Sequence, residues 1–251
     1  MRYALKRKLS VYGIIFLILA IAVFWFYNAK IKERPTCFDK IKNGTEEGVD
    51  CGGICEEICT FKAEKVNIHW TRAFEVVPGI FNVAASIENP NFDYSFKMDY
   101  TIKYIDERGI NVGEINNTVF LEPLGKEIIF YPGIKLKGQK IARVFLVQDK
   151  VYDLEKAKQE DNKLTINSKE LIREKDLTKL KVIIQNDDFI PQRSIQVSSV
   201  LFDKDGNAME VNRTYIDYLD KNERKPVYMT WPREFEDKIA EIKVYLNKSE
   251  I

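Results

Sequence analysis

Beyond Cys59 the chain contains no cysteine, and its 251 residues include a single histidine, His69. One histidine excludes multi-histidine metal sites and leaves any Ser-His-Asp triad resting on that residue. No Gly-rich phosphate loop and no nucleophile elbow occurs. Neither sign of charge is in excess, with Lys+Arg at 39 and Asp+Glu at 38. A general nucleic-acid binder carries a basic surplus, so no nucleic-acid partner is expected. His69 alternates with Ile68 and Trp70 in a strand-like run and is expected to face solvent. The carboxylate pairs Glu46/Glu47 and Asp187/Asp188 are neighbours in turns, and adjacency alone does not create an acid–base pair across a cleft. No catalytic residue, no cofactor and no enzymatic activity are therefore expected.

Against these absences stands one long uncharged run, Leu9 to Ala29, LSVYGIIFLILAIAVFWFYNA. At 1.5 Å per residue it spans about 30 Å, the thickness of a bilayer core. Tyr12, Trp25 and Tyr27 lie near its ends, where amphipathic rings favour the headgroups. Ala20-Ile21-Ala22 has small residues at the spacing of a cleavage site, but Val23 to Tyr27 continue the apolar run beyond a usual signal sequence. The reading is an uncleaved single-pass transmembrane anchor at 9–29. Arg2, Lys6, Arg7 and Lys8 outnumber Lys30, Lys32 and Arg34 (with Glu33), which places a tail at 1–8 in the cytoplasm and the bulk on the non-cytoplasmic side.

All four cysteines follow within 30–60: Cys37, Cys51, Cys55 and Cys59. A short, Gly-rich, cysteine-dense segment cannot bury an adequate core, so two disulfides in an oxidising compartment are expected. Three pairings are open. The C-x₂-C spacings of zinc, iron–sulfur and redox sites are missing. Asp39, Asn43, Glu46 and Asp50 are weak calcium candidates, since hard oxygen ligands suit that ion. A solvated acidic turn is the simpler reading, with Asn43-Gly44 and Gly52-Gly53 turning the backbone, and no metal site is assigned.

The remainder reads as mainly β. Phe81–Glu88, Phe96–Asp106 and Ser194–Asp203 are rich in β-branched and aromatic residues. Met98, Tyr100, Ile102 and Tyr104 share one face, and Lys97, Asp99, Thr101 and Lys103 the other, the pattern of a half-buried strand. The chain also matches itself at an offset of 97 residues. Asn89, Phe92, Asp106 and Gly109 fall on Asn186, Phe189, Asp203 and Gly206. Tyr131-Pro132 and Trp231-Pro232 mark comparable late strands, and Ile141-Ala142 and Ile239-Ala240 comparable final ones. Two tandem immunoglobulin-like β-sandwiches of some seven strands each are expected, at 61–150 and 163–251, joined by a charged linker at 151–162. Phe92 and Phe189 are expected to be buried at equivalent sites, although Phe92, Tyr94 and Trp231 are also candidate contact aromatics.

Two resemblances accompany this reading. Cys37, Asp39, Ile41, Asn43, Gly44, Glu46, Val49, Asp50, Cys51, Gly52, Gly53 and Cys55 resemble the motif C-x-D-G-I-x-N-G-x-E-T-x-V-D-C-G-G-x-C-x-x-C of bacterial surface and membrane proteins. Lys40 replaces its first glycine, Thr45 a usual acidic residue, and Cys59 comes one residue late. Ile87-Glu88-Asn89-Pro90-Asn91 resembles the V-x-N-P-N turn of LEA14-like (WHy) domains. Leu201-Phe202-Asp203-Lys204-Asp205-Gly206 resembles the L-Y-D-x-D-G strand and turn of FxLYD domains, with Phe202 where Tyr is usual. The resemblance implies small β-sandwiches used for binding or assembly, and brings no catalytic residues with it. The function expected is a membrane-anchored, non-enzymatic protein presenting two sandwiches to a protein or cell-envelope partner. An accessory subunit of a membrane complex is the alternative, and a cell-envelope enzyme a weaker one.

Overall fold

The structure, a computed structural model, describes residues 2–27, 37–59, 63–136, 138–156, 163–235 and 239–248. The chain divides into two units, Met1–Cys55 and Glu56–Ile251.

The first unit holds one helix, α1 (Arg2–Phe26). It corrects the expected transmembrane anchor, because no helix among the described residues is long and apolar enough to cross a membrane. The helix opens on Arg2, Lys6, Arg7 and Lys8, whose charges belong outside a hydrocarbon core, and it stops at Phe26. Its uncharged part, from Leu9 to Phe26, measures about 27 Å at 1.5 Å per residue, against a hydrocarbon core of about 30 Å. Asn28 and Ala29, and the flanking Lys30, Lys32, Glu33 and Arg34, lie outside the described residues.

The second unit is built from twelve strands: β1 (Asn67–Val77), β2 (Ile80–Glu88), β3 (Tyr94–Ile105), β4 (Asn111–Leu121), β5 (Lys126–Lys135), β6 (Arg143–Lys156), β7 (Leu164–Glu174), β8 (Leu177–Asn186), β9 (Gln192–Phe202), β10 (Ala208–Leu219), β11 (Arg224–Trp231) and β12 (Glu241–Lys248). They pair antiparallel into four three-stranded sheets, β1-β2-β5, β4-β3-β6, β11-β8-β7 and β10-β9-β12. Adding six to each strand number of the first pair of sheets gives the second pair. Among the described residues each copy thus has six strands rather than seven, in one shared order. The charged segment after residue 150 is not wholly a linker, because Asp153–Lys156 extends β6; residues 157–162 lie outside the described residues.

The repeat is held by the same polar devices in both copies. Asn89 is fully buried at the end of β2. Its Nδ2 donates to the carbonyls of Tyr94 at 3.0 Å, Leu121 at 3.4 Å and Glu122 at 3.0 Å, and its Oδ1 accepts the Asn91 N–H at 2.9 Å. Asn186, equally buried, donates to Ile190, Leu219 and Asp220 and accepts from Asp188 N–H. Each asparagine thereby fastens the β2–β3 or β8–β9 turn to the end of the neighbouring β4 or β10. The second device is the hairpin tip. Asp106 Oδ1 accepts the N–H groups of Arg108 and Ile110, and Asp203 Oδ1 those of Asp205 and Asn207. These bonds from backbone amides hold both carboxyls below the ordinary range against their partial burial. Gly109 and Gly206 close the turns at φ 80° and 78°, where a Cβ is disfavoured. The final strands enter alike, with Ala142 N–H on Ile105 O and Ala240 N–H on Phe202 O, both at 2.8 Å.

Three apolar clusters follow. One fills the first copy around Phe96, Met98, Ile102 and Leu121, and a second fills the other around Leu180, Ile195, Leu201 and Trp231. A third lies between the copies and unites Phe74, Ala84 and Ile128 with Val200, Phe202, Ala208 and Val211. It explains why β9 departs from the half-buried pattern: every residue from Ile195 to Phe202 is buried. Ile195, Val197 and Leu201 point into their own core, while Val200 and Phe202 meet the first copy. Ala84 and Ala208 are small enough to let the sheets approach.

Polar groups ring this contact. Glu127 of β5 accepts Gln196 Nε2 at 2.6 Å, lies 3.7 Å from the Arg213 guanidinium and also bonds Asn247 Nδ2. Arg213 reaches the carbonyl of Ile128, and Arg72 that of Ala208. Asn247, one of four asparagines in N-x-S/T triplets, is thus committed to the contact.

One buried charge in the second copy lacks such support. Glu210 is 1% exposed; its Oε1 pairs with Arg233, and its Oε2 has no hydrogen-bond partner among the described residues. Burial pushes its carboxyl up to about 7, with Arg233 opposing. A raised folded-state value means that stability is fully present below about 4.5 and is lost as pH rises through about 7. Urea unfolding of the intact chain should show this loss, amounting to about 2 to 3 kcal/mol. Glu210→Gln should abolish most of it. An unchanged pH slope in that variant would refute the assignment.

Candidate binding site

The cysteine segment forms a closed loop. Cys37 and Cys55 are bonded, with Cα atoms 5.6 Å apart. Cys51 and Cys59 are disulfide-bonded as well, and no described cysteine is free. The acidic residues of the loop are turned onto its own backbone. Asp50 accepts the N–H groups of Asp39 and Lys40, Asp39 that of Ile41, and Glu46 those of Asn43 and Asp50. Asn43 Nδ2 donates to Asp39 at 2.8 Å. Among the described residues the group that brings three ligand atoms within 4.8 Å is Cys37, Glu46 and Cys55. Two of those atoms are disulfide sulfurs, so the arrangement offers a cation one carboxylate.

The other singled-out residues separate. His69 Nε2 lies 2.7 Å from Glu88 Oε2 at the exposed edge formed by β1 and β2. Asp187 and Asp188 hydrogen-bond Thr165 and Gln192. Trp231 is a core residue, 3% exposed and edge-on to Phe235 with centroids 6.2 Å apart. Tyr94 packs half-buried against the first core. Phe92 and Phe189 correct the expected burial, being 71% and 80% exposed. The turns at Asn89 and Asn186 are anchored by the asparagine side chains instead, which leaves each phenylalanine at the tip.

Within Glu56–Ile251 a cleft of about 530 Å³ lies on the open side of the first copy. Its walls come from β4 (Asn117 to Phe120), β5 (Glu127, Ile129, Phe130, Tyr131) and Lys97, Tyr100 and Tyr152 of β3 and β6. Gln196, Arg213 and Lys248 of the second copy complete it. Its volume falls in the range of small-molecule sites. The strands open it because β4 and β5 are edge strands of opposing sheets, and no strand among the described residues bridges them.

The chemistry inside is mostly that of neutral groups. Tyr100 and Tyr131 hydroxyls lie 2.8 Å apart, and Asn117 Nδ2 donates to Tyr131 at 3.0 Å. Tyr152 Oη and Thr118 Oγ1 both donate to Asp99. Burial, followed by the Tyr131 hydrogen bond, drives the Tyr100 hydroxyl far above the usual phenol range, so it stays protonated. The cations are engaged. Arg213 faces Glu127, Lys97 lies 3.5 Å from Asp153, and Lys248 has a partner too.

Sequence reasoning did not single out a cleft, because its residues come from four strands of the first copy and three positions of the second, far apart in the chain. One signal was present. The run Val197-Ser198-Ser199-Val200-Leu201-Phe202 places apolar side chains on both faces of a strand, the mark of burial on both sides.

The fold and the cleft define a mainly β protein with two sandwich-like pairs of sheets and a disulfide-bonded loop. No family model matches the chain, and no curated protein does. Among solved structures, red sea bream transglutaminase is similar at 11% identity and a TM-score of 0.24, over 74% of this chain. The chain spans 29% of that structure, and a likeness of this size bears on neither fold nor activity.

Proposed function

We propose that the chain is a non-enzymatic binding protein working outside the cytoplasm, with the cleft on the open side of the first sheet pair as the contact site for cell-envelope material. The observation that carries this reading is the joint construction of the cleft, most of whose lining comes from one copy and the rest from the other. Fixing the two copies through a shared apolar cluster pre-organises the site and lowers the ordering cost of binding. The bonded cysteines support an oxidising location. The resemblance to LEA14-like and FxLYD domains fits a binding role.

The test is co-sedimentation of the intact chain with isolated envelope material from the producing cells. Asn117→Trp, which fills the cleft from an exposed position, should abolish it. Retention of the variant would exclude the cleft, and failure of the unaltered chain to sediment would exclude the reading. A second reading, an accessory subunit of a larger assembly, is favoured by the exposed Phe92 and Phe189 at equivalent turns. In that case a Phe92→Ala/Phe189→Ala double variant, rather than Asn117→Trp, loses the interaction.

A further inference from the structure

Resting on that reading of the cleft, we infer that its ligand is an uncharged, polyhydroxylated one: a short segment of neutral glycan. Two features of the wall lead there. First, the side chains that face the space combine aromatic rings with neutral donors and acceptors. Phe130, Tyr131 and Tyr152 supply rings, the first and last with Arg213 and Lys150 over one face, and Asn117, Thr118 and Gln196 supply amide and hydroxyl groups. A pyranose ring presents the complement, a flat C–H face and a rim of hydroxyls that each donate and accept. The polar groups keep unspent capacity for such a rim. Asn117 uses one amide hydrogen on Tyr131 and retains another, and the Tyr131 hydroxyl keeps one further bond, as acceptor or as donor according to which tyrosine donates in the Tyr100–Tyr131 pair.

Second, the electrostatics disfavour the alternatives. Arg213 is held by Glu127 and by the Ile128 carbonyl, and Lys97 by Asp153. An anionic ligand would have to compete with these carboxylates for its cations. A cationic ligand would meet three basic side chains at the wall. A strongly apolar ligand would strip water from the hydroxyls and amides without replacing their hydrogen bonds. A neutral sugar does none of these things.

The experiment titrates the intact chain by calorimetry with maltotriose and N-acetylated chitotriose as neutral probes and trigalacturonate as the acidic one. At least one neutral probe should bind saturably. Asn117→Ala and Tyr131→Phe should each weaken it about five- to tenfold, the effect of one lost hydrogen bond or slightly more. Their melting temperatures should stay close to that of the unaltered chain, which separates lost contact from lost fold. Tyr228→Ala, on the exposed face of β11, should leave binding unchanged. Binding of trigalacturonate in preference to both neutral probes would overturn the ligand class while leaving the cleft as the contact site. Neutral-probe binding that is indifferent to both cleft variants, or no sugar binding at all, would overturn the inference. In those cases the effect of Asn117→Trp on envelope co-sedimentation still decides whether the cleft itself is a binding site.

Discussion

Asn89→Ala should cost about 3 to 5 kcal/mol of stability, a large part of what holds a domain folded. The substitution removes one small polar side chain, yet it strands the carbonyls of Tyr94, Leu121 and Glu122 and the Asn91 N–H in a fully buried place. Each stranded group incurs its desolvation penalty, and no water replaces the lost amide if the turn stays closed. Asn89→Asp is the sharper probe, because it keeps the shape and replaces a donor with an acceptor facing three carbonyl oxygens. It should be at least as damaging as Ala, worsening as pH rises and the carboxylate ionises. Asn186→Ala should behave alike, since its partners Ile190, Leu219 and Asp220 stand in the same relation. Denaturant unfolding of the three variants is the measurement. A loss below about 1 kcal/mol at either site would show that the turns are held by something other than the asparagines.

Glu127→Ala should cost about 3 to 5 kcal/mol and divide the unfolding transition. Glu127 and Arg213 are 12% and 17% exposed at the side chain, so removal of the acid leaves a guanidinium nearly buried without its counter-charge. Gln196 and Asn247 lose their acceptor at the same time. Burial raises the Glu127 carboxyl despite Arg213, which indicates how much solvation the pair has given up. All these partners cross from one copy to the other, so the damage should fall on their coupling. Calorimetry of the unaltered chain should give one transition for the two copies, and Glu127→Ala two. Glu127→Gln keeps an acceptor for Gln196 and should be milder. A single undivided transition in Glu127→Ala would mean that the apolar cluster alone couples them.

The repeat was legible because its signals are local. Asn89, Asp106 and Gly109 recur at a fixed offset since each serves a turn, and a turn is specified by a few adjacent residues. The alternation of Lys97 to Tyr104 likewise reports a strand with one face in the core. Phe92 and Phe189 misled for a related reason. They recur with the turn, but the asparagine anchors it, and recurrence of an aromatic does not tell a core residue from a tip. The count of strands erred because β6 and β10 run long and uninterrupted through polar stretches. The cleft and the contact between copies were not legible, since docking brings Gln196 and Arg213 to Glu127 and Tyr131 of β5 from distant parts of the chain.

That docking has a consequence for assembly. The first copy contributes the outer face of β1-β2-β5, and the second that of β10-β9-β12, which corresponds to β4-β3-β6 of the first. The contact joins unlike faces, so no two-fold axis relates them and nothing closes the arrangement. A head-to-tail contact of this kind adds further units without limit unless its ends are blunted. The two free faces are blunted by charge. Lys103 stands where the docked face has Val200, Asp99 where it has Gln196, and Lys181 where the other has Ala84. A lysine set against a copy of the opposite apolar face would lose its hydration with no partner to replace it. The chain therefore makes one head-to-tail contact between its two copies and sets charge where that contact would otherwise repeat.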